Sequence, residues 1–195
     1  MGAHMTTAGP RNPECMLQTM NDVYRIRRAT EAAAEVADLA EVLCDCVEGG
    51  ASVSFMSPLP RARALAFWET ALADATRGER IVLVAEEIAS GTIVGTVQLI
   101  LSMPENQPHR ADVAKMLVHR RARRSGLGAE LMRAVESAAR EAGRTLLVLD
   151  TVTGGDAERL YAGLGWQRVG EIPNYALWPT GGFCSTTVFY RDLSG

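Results

Sequence analysis

Four arginines, at 120, 121, 123 and 124, stand immediately before Gly126-Leu127-Gly128. After them Leu127, Leu131, Val135, Ala138 and Ala142 recur at spacings of four, four, three and four, which is one face of a helix. Gly143 can end that helix. Ahead of the arginines, residues 111–118 read as a strand and 119–125 as a loop. The first turn of a helix carries unpaired N–H donors and a partial positive charge. Glycines at 126 and 128 let a ligand approach the backbone with no Cβ in the way. Arginines beside such a turn add charge and forked donors, and a pyrophosphate is the natural guest. The competing reading is a solvated basic loop, because short glycine patterns are weak signals by themselves.

The elements that must hold this turn can be placed from periodicity. Residues 23–28 alternate as a first strand, and Thr30 is a candidate N-cap for the helix after it. That helix carries Ala32, Val36, Leu39, Leu43 and Val47 on one face and stops at Gly49-Gly50. Residues 49–57 are small and uncharged and end near Phe55-Met56. They read either as a connection whose apolar residues pack inward or as a substrate-facing loop. A second helix follows Pro58 and Pro60, with Leu65, Trp68, Leu72 and Ala75 as its apolar stripe. Strands are predicted at 81–86 and 93–101, with a bulge at Gly95, then at 145–151, and a short helix at 156–164. The last strands fall at 167–171 and 186–191, separated by a loop at 174–184 rich in Gly and aromatics. Strand, helix, helix, three strands, helix, strand, helix and two strands predict an α/β (α+β) fold with a mixed central sheet of about seven strands and helices on both faces.

Composition narrows the field. The chain has 195 residues, 47% hydrophobic and 22% charged, with a net charge of −3. Such a balance suits a globular domain and argues against nucleic acid as the partner of the whole protein. No apolar run reaches membrane-spanning length, no secretory signal opens the chain, and Cys15, Cys44, Cys46 and Cys184 form no C-x-x-C pair. His4, His109 and His119 have no metal-ligand spacing. These features point to a reduced, cytoplasmic protein without a metal. Residues 1–21 read as a cloning remnant (Met1 to Met5) and a lead-in, and 22–195 as one domain.

Arg123-x-x-Gly126-x-Gly128 resembles the coenzyme A loop of the GNAT acetyltransferase superfamily. Leu160-Tyr161-Ala162-Gly163-Leu164-Gly165-Trp166 resembles its second signature, a Tyr near a helix end followed by Leu-Gly-aromatic. There are departures: Arg120 stands where a Pro is common, Arg124 where a Gly is common, and Gly154 where an Asn is common. Within the superfamily the chain is most similar to the tabtoxin resistance acetyltransferases. That likeness rests on Gly49-Gly50-Ala51-Ser52-Val53, Phe55-Met56, Arg110-Ala111, Lys115-Met116-Leu117-Val118, Leu149-Asp150-Thr151, and Arg168-Val169-Gly170-Glu171-Ile172-Pro173 with Tyr175.

The resemblance implies acetyl-CoA as co-substrate. Its pyrophosphate would meet Arg123, Arg124, Ser125, Gly126, Leu127, Gly128 and Ala129, and its amide arm would pair with Met116, Leu117 and Val118. It implies Tyr161 as the acid that protonates the departing thiolate and Asp150 as the base. From the sequence alone, Asp150 at the C-terminal end of an apolar strand either caps the next turn or faces a cleft, where it would be a base or an anchor for a cationic amine. Asp112 and Phe55 are further candidates for contacting the acceptor, whereas His119 reads as incidental. No Cys has a His near it in sequence, so direct attack in a ternary complex is favoured over a covalent route. The expected acceptor is the primary amine of a small molecule, such as an amino-acid-derived toxin, and a homodimer is allowed. Acetylation of protein or peptide amines, and non-catalytic acyl-CoA sensing, are the alternatives.

Overall fold

The computed structural model describes residues 23–195. The readings of residues 1–21, Cys15 and His4 included, lie outside the described residues. The elements are β1 Tyr24–Arg28, α1 Ala33–Glu48, α2 Arg61–Thr76, β2 Arg80–Glu87, β3 Ile93–Ile100, β4 Arg110–Val118, α3 Leu127–Glu141, β5 Leu146–Val152, α4 Asp156–Gly163, β6 Gln167–Leu177 and β7 Phe183–Asp192, with a 3-10 turn at Arg120–Ala122. The order matches the one expected from periodicity. The strands form one sheet in the order β1-β2-β3-β4-β5-β7-β6. Every neighbouring pair is antiparallel except β4 and β5.

Strand alternation divides the apolar residues between two cores. Leu83 and Ala85 of β2 pack on one face with Leu127, Leu131 and Val135 of α3. Val82 and Val84 pack on the other face with Leu39 and Leu43 of α1 and Trp68 of α2. Removing a Leu side chain such as Leu131 from water contributes about 1.5–3 kcal/mol, and Leu131 is fully buried.

Two irregularities open the centre of the sheet. β4 and β5 pair only at Arg110–Leu146, Ala111–Leu147 and Asp112–Val148, and then diverge. Beside that divergence β4 carries one extra residue against β3: Thr96 faces Leu117 while Gln98 faces Ala114. Lys115 sits in this bulge with φ 50°. The bulge expected at Gly95 is also present, as a register shift between β2 and β3.

The structure changes two expectations. Thr30 does not cap α1; the helix begins after Ala32, and Thr30 lies two residues further out. Its N–H donates to Glu35 Oε2 at 2.7 Å, so the first turn is tied from the acidic side chain outward. The loop expected from Asn174 to Cys184 shrinks to a turn at 178–182, because β6 continues to Leu177 and β7 starts at Phe183. Pro173 and Asn174 obscure the strand pattern, and the ladder absorbs them in a register shift between Ile172 and Ala176.

Candidate active site

A cleft of about 1100 Å³ runs from the start of α3, along the gap between β4 and β5, to the loop at 49–56 and the β6–β7 turn. This is large for a small-ligand pocket, which spans roughly 300–1,000 Å³.

Gly126 precedes α3 with φ 84°, a left-handed conformation that favours glycine, and a Cβ there would meet nothing within 4 Å. The amides from Arg124 to Gly128 have no acceptor among the described residues, whereas Ala129 N already donates to Gly126 O at 3.0 Å. At Gly128 a Cβ would lie 3.2 Å from Leu160 Cδ2, so the missing side chain lets α3 seat against α4. Leu127 lines the cleft but turns its side chain into the core. Ser125 does not line the cleft; its hydroxyl donates to Ala122 O at 2.8 Å.

The four arginines divide into two pairs. Arg120 donates from its backbone N and from Nε to buried Asp45 of α1, both at 2.8 Å. The donor gained by having Arg rather than Pro at 120 is therefore used inside the protein. Arg121 pairs with Glu87 at 3.2 Å. His119 Nδ1 accepts from Arg121 N at 3.2 Å and holds the turn. Arg123 and Arg124 remain on the cleft. Arg123 Nε donates to Val118 O at 3.1 Å, which fixes its guanidinium at the end of β4.

Met116, Leu117 and Val118 border the cleft where β4 has left β5. Asp150 of β5 and Tyr161 of α4 line the same cleft. Leu147 and Leu149 face the α3 core, so by alternation Asp150 faces the α1–α2 side. Its Oδ2 accepts from Thr186 Oγ1 at 2.8 Å. Tyr161 is 5% exposed, in the other core, with Trp166 and Phe189 rings at 6.1 Å. Burial, and secondarily the Asp150 charge, push its phenol well above the ordinary value. The phenol therefore stays protonated at any physiological pH.

A model of the acetyltransferase (GNAT) family matches residues 39–166. The chain belongs to that family. Enzymes of the GNAT family are acetyl-CoA-dependent acyltransferases. Solved structures share the fold along nearly their whole length. The yncA protein of Salmonella typhimurium, solved with its cofactor acetyl-CoA, is 22% identical, with 89% of this chain and 95% of that one covered at a TM-score of 0.73. A ribosomal-protein-alanine N-acetyltransferase of Brucella melitensis is 24% identical, with 86% and 99% covered and a TM-score of 0.74. An N-acetyltransferase of Staphylococcus aureus Mu50 is 18% identical, with 88% and 99% covered and a TM-score of 0.73.

Within this GNAT domain the remaining candidates separate. Phe55 lines the cleft, packs edge-on against Phe67 at 5.4 Å, and carries the Arg63 guanidinium over its face at 5.5 Å. Ala51, Val53 and Phe55 of the 49–57 segment pack on the α1–α2 core while Met56 stays exposed, and the segment lines the cleft. Asp112 does not line the cleft; it is paired to Arg110 at 2.6 Å. Burial raises its carboxyl against the pull of Arg110. Two cleft residues, Lys115 and Thr186, escaped sequence reasoning. Thr186 gave no local signal. Lys115 gave one: it is the chain's sole lysine, beside 19 arginines.

Proposed function

We propose that this chain transfers the acetyl group of acetyl-CoA to the primary amine of a small molecule by direct attack in a ternary complex. The observation that carries the reading is the single cleft joining the donor-rich turn at Gly126, the open edge of β4, Asp150 and Tyr161. The amides of Arg124 to Gly128 and the side chains of Arg123 and Arg124 suit the pyrophosphate. Ser125 contributes backbone only, and Ala129 borders the site with its amide already paired. The edge of Met116, Leu117 and Val118 offers backbone partners to an amide chain in place of β5.

Acetyl-CoA supplies an activated acyl group: the amine nitrogen forms the amide bond as the carbon–sulfur bond breaks. Two protons must move. An alkyl amine has a pKa near 10.4, so its neutral form at pH 7 is scarce by roughly 4–5 kcal/mol. Asp150 sits on the acceptor side of the sheet, where it can anchor the ammonium and take its proton directly or through water. Asp112 is held by Arg110 off the cleft, which favours Asp150 for this role. Tyr161 lies on the opposite face, where the sulfur would emerge. A thiol pKa is about 8.5 and a phenol's at least 10, so complete transfer from Tyr161 is uphill by about 2 kcal/mol or more. Tyr161 therefore acts by donating a hydrogen bond to the developing thiolate, and the proton released by the amine restores the balance.

The acceptor end has a roof. Ser52 Oγ donates to Leu177 O at 2.8 Å and Ser57 N to Pro179 O at 2.9 Å, tying the 49–57 segment to the β6–β7 turn. A roofed pocket favours a small amine over a folded protein's terminus or lysine, and the likeness to tabtoxin resistance acetyltransferases favours an amino-acid-derived one. Thiol release measured against small amines and against short peptides tests the reading. Turnover confined to peptides, or to alanine-terminated peptides such as ribosomal-protein ends, would overturn it. In mass spectra of enzyme held with acetyl-CoA and no acceptor, Cys44, Cys46 and Cys184 should carry no acetyl group; a stable adduct would replace direct attack by a covalent route.

A further inference from the structure

The chain uses lysine once and arginine 19 times. That lysine, Lys115, is in the bulge of β4 with φ 50°, a conformation uncommon for a residue with a side chain. Ala111 and Val113 face the α3 core, and so do Met116 and Val118. Even alternation from Val113 would have sent Lys115 to that core as well. The extra residue of the bulge turns it to the α1–α2 side instead, the side of Asp150, with its ammonium in the cleft. A bulge that re-aims one side chain at a site is a recurrent device.

The Lys115 ammonium has only neutral partners. Nζ donates to Ser54 Oγ at 3.2 Å and lies 5.6 Å from the Phe67 ring centroid. No carboxylate pairs with it among the described residues. Asp150 acts on it only from beyond contact, and the nearby Arg80 is engaged by Asp74 and Gln98. The cleft's other cations, Arg123 and Arg124, stand beside the donor-rich turn and are assigned to the pyrophosphate, whereas Arg110, Arg120 and Arg121 lie off the cleft and are paired with Asp112, Asp45 and Glu87. A half-buried cation without a counter-ion is costly, and burial indeed lowers the pKa of its ammonium, with Asp150 pulling the other way. An incoming anion would relieve both.

We propose that Lys115 is the counter-ion for a carboxylate on the acceptor, so that the compound acetylated is an amino carboxylic acid whose ammonium faces Asp150 and whose carboxylate faces Lys115. This rests on the acetyltransferase reading above and narrows its substrate class. Cation and anion on either side of the β4–β5 gap make a site complementary to a zwitterion. A plain alkyl amine would leave Lys115 unpaired.

The test compares α- and ω-amino acids with their own carboxamides, skeleton by skeleton, by thiol release with wild type and Lys115→Met. Wild type should favour the acid over its amide at least tenfold in kcat/KM, and Lys115→Met should bring the two within threefold. Lys115→Arg should keep part of the preference. A binding readout independent of turnover accompanies it: in CoA-loaded protein, N-acetyl amino acids should raise the melting temperature more than their amides do, and Lys115→Met should erase that difference. Equal turnover of acids and amides, a preference that survives Lys115→Met, or a stable acetyl group on Lys115 would each overturn the proposal. So would failure of every carboxylate ligand to move the melting temperature. Calorimetry of acetyl-CoA separates the two levels. A protein that binds acetyl-CoA yet does not discriminate acid from amide sinks the Lys115 assignment alone, whereas one that does not bind it sinks the enzyme reading.

Discussion

Tyr161→Phe separates chemistry from packing cleanly. The Tyr161 ring is buried against Trp166 and Phe189, and phenylalanine keeps both contacts. The hydroxyl has no hydrogen-bond partner among the described residues, so its removal strands no donor or acceptor of the fold. Stability should therefore change by no more than about 0.5 kcal/mol. In the reaction the same hydroxyl meets a developing thiolate, and a hydrogen bond to a charged group is worth about 1.5–3 kcal/mol. Lost only in the transition state, that is about a 10- to 150-fold drop in kcat. Thiol release under saturating acetyl-CoA and amine gives kcat, and calorimetry gives acetyl-CoA affinity, which should stay within about threefold. Because burial and then Asp150 push the phenol upward, wild type should show no alkaline fall in kcat from ionisation of this group below about pH 10. An unchanged kcat in the variant, or a loss of cofactor affinity as large as the loss of rate, would refute the assignment of Tyr161 to the sulfur.

Gly126→Glu should abolish acetyl-CoA binding measured by calorimetry, because φ 84° disfavours any side chain and the new carboxylate would face a diphosphate; retained affinity would remove the donor-rich turn from the site. Asp150→Asn keeps an acceptor for Thr186 Oγ1 but loses the base, so kcat/KM should fall by about 10²–10⁴-fold with the melting temperature nearly unchanged. Asp45→Asn should cost about 1–3 kcal/mol at pH 7, read from urea unfolding, and weaken acetyl-CoA binding as the 119–124 turn loosens. Burial raises the Asp45 carboxyl, but its bonds to Arg120 outweigh that and hold it below the usual range. The wild-type advantage is thus full above the unfolded value of about 3.9 and fades as pH falls through the depressed one; an advantage that persisted at pH 2 would count against the ion pair.

The order of elements, the start of α3 and the family were legible in the sequence because their signals are local. Leu127 to Ala142 keep a helical period, and Arg123, Gly126, Gly128 and Tyr161 stand at spacings that the fold requires. What escaped is long-range. Asp45 and Arg120 are 75 residues apart and neither marks the other, so all four arginines looked available to a ligand. Asp112 stood as a further candidate behind Asp150 until Arg110 and the three paired rungs placed it behind the divergence. β6 read as a loop past Glu171 because Pro173 and Asn174 break alternation, and only pairing with β7 restores it. The direction of Lys115 depends on one extra residue in a ladder, a matter of register against Thr96 and Gln98 that no window of β4 contains.

The parting of β4 from β5 makes the middle of the sheet behave as two half-sheets sharing a short hinge of three rungs. Backbone amides of β4 beyond Asp112 that point toward the gap lack a neighbouring strand in the free protein, though they lie deep within the chain's architecture. Deuterium should enter them quickly in the absence of ligand and slowly once a guest bridges the two halves. The rate at which those central positions take up label then reports occupancy without any chemistry being followed, and it links tightening of the whole sheet to the arrival of its co-substrate.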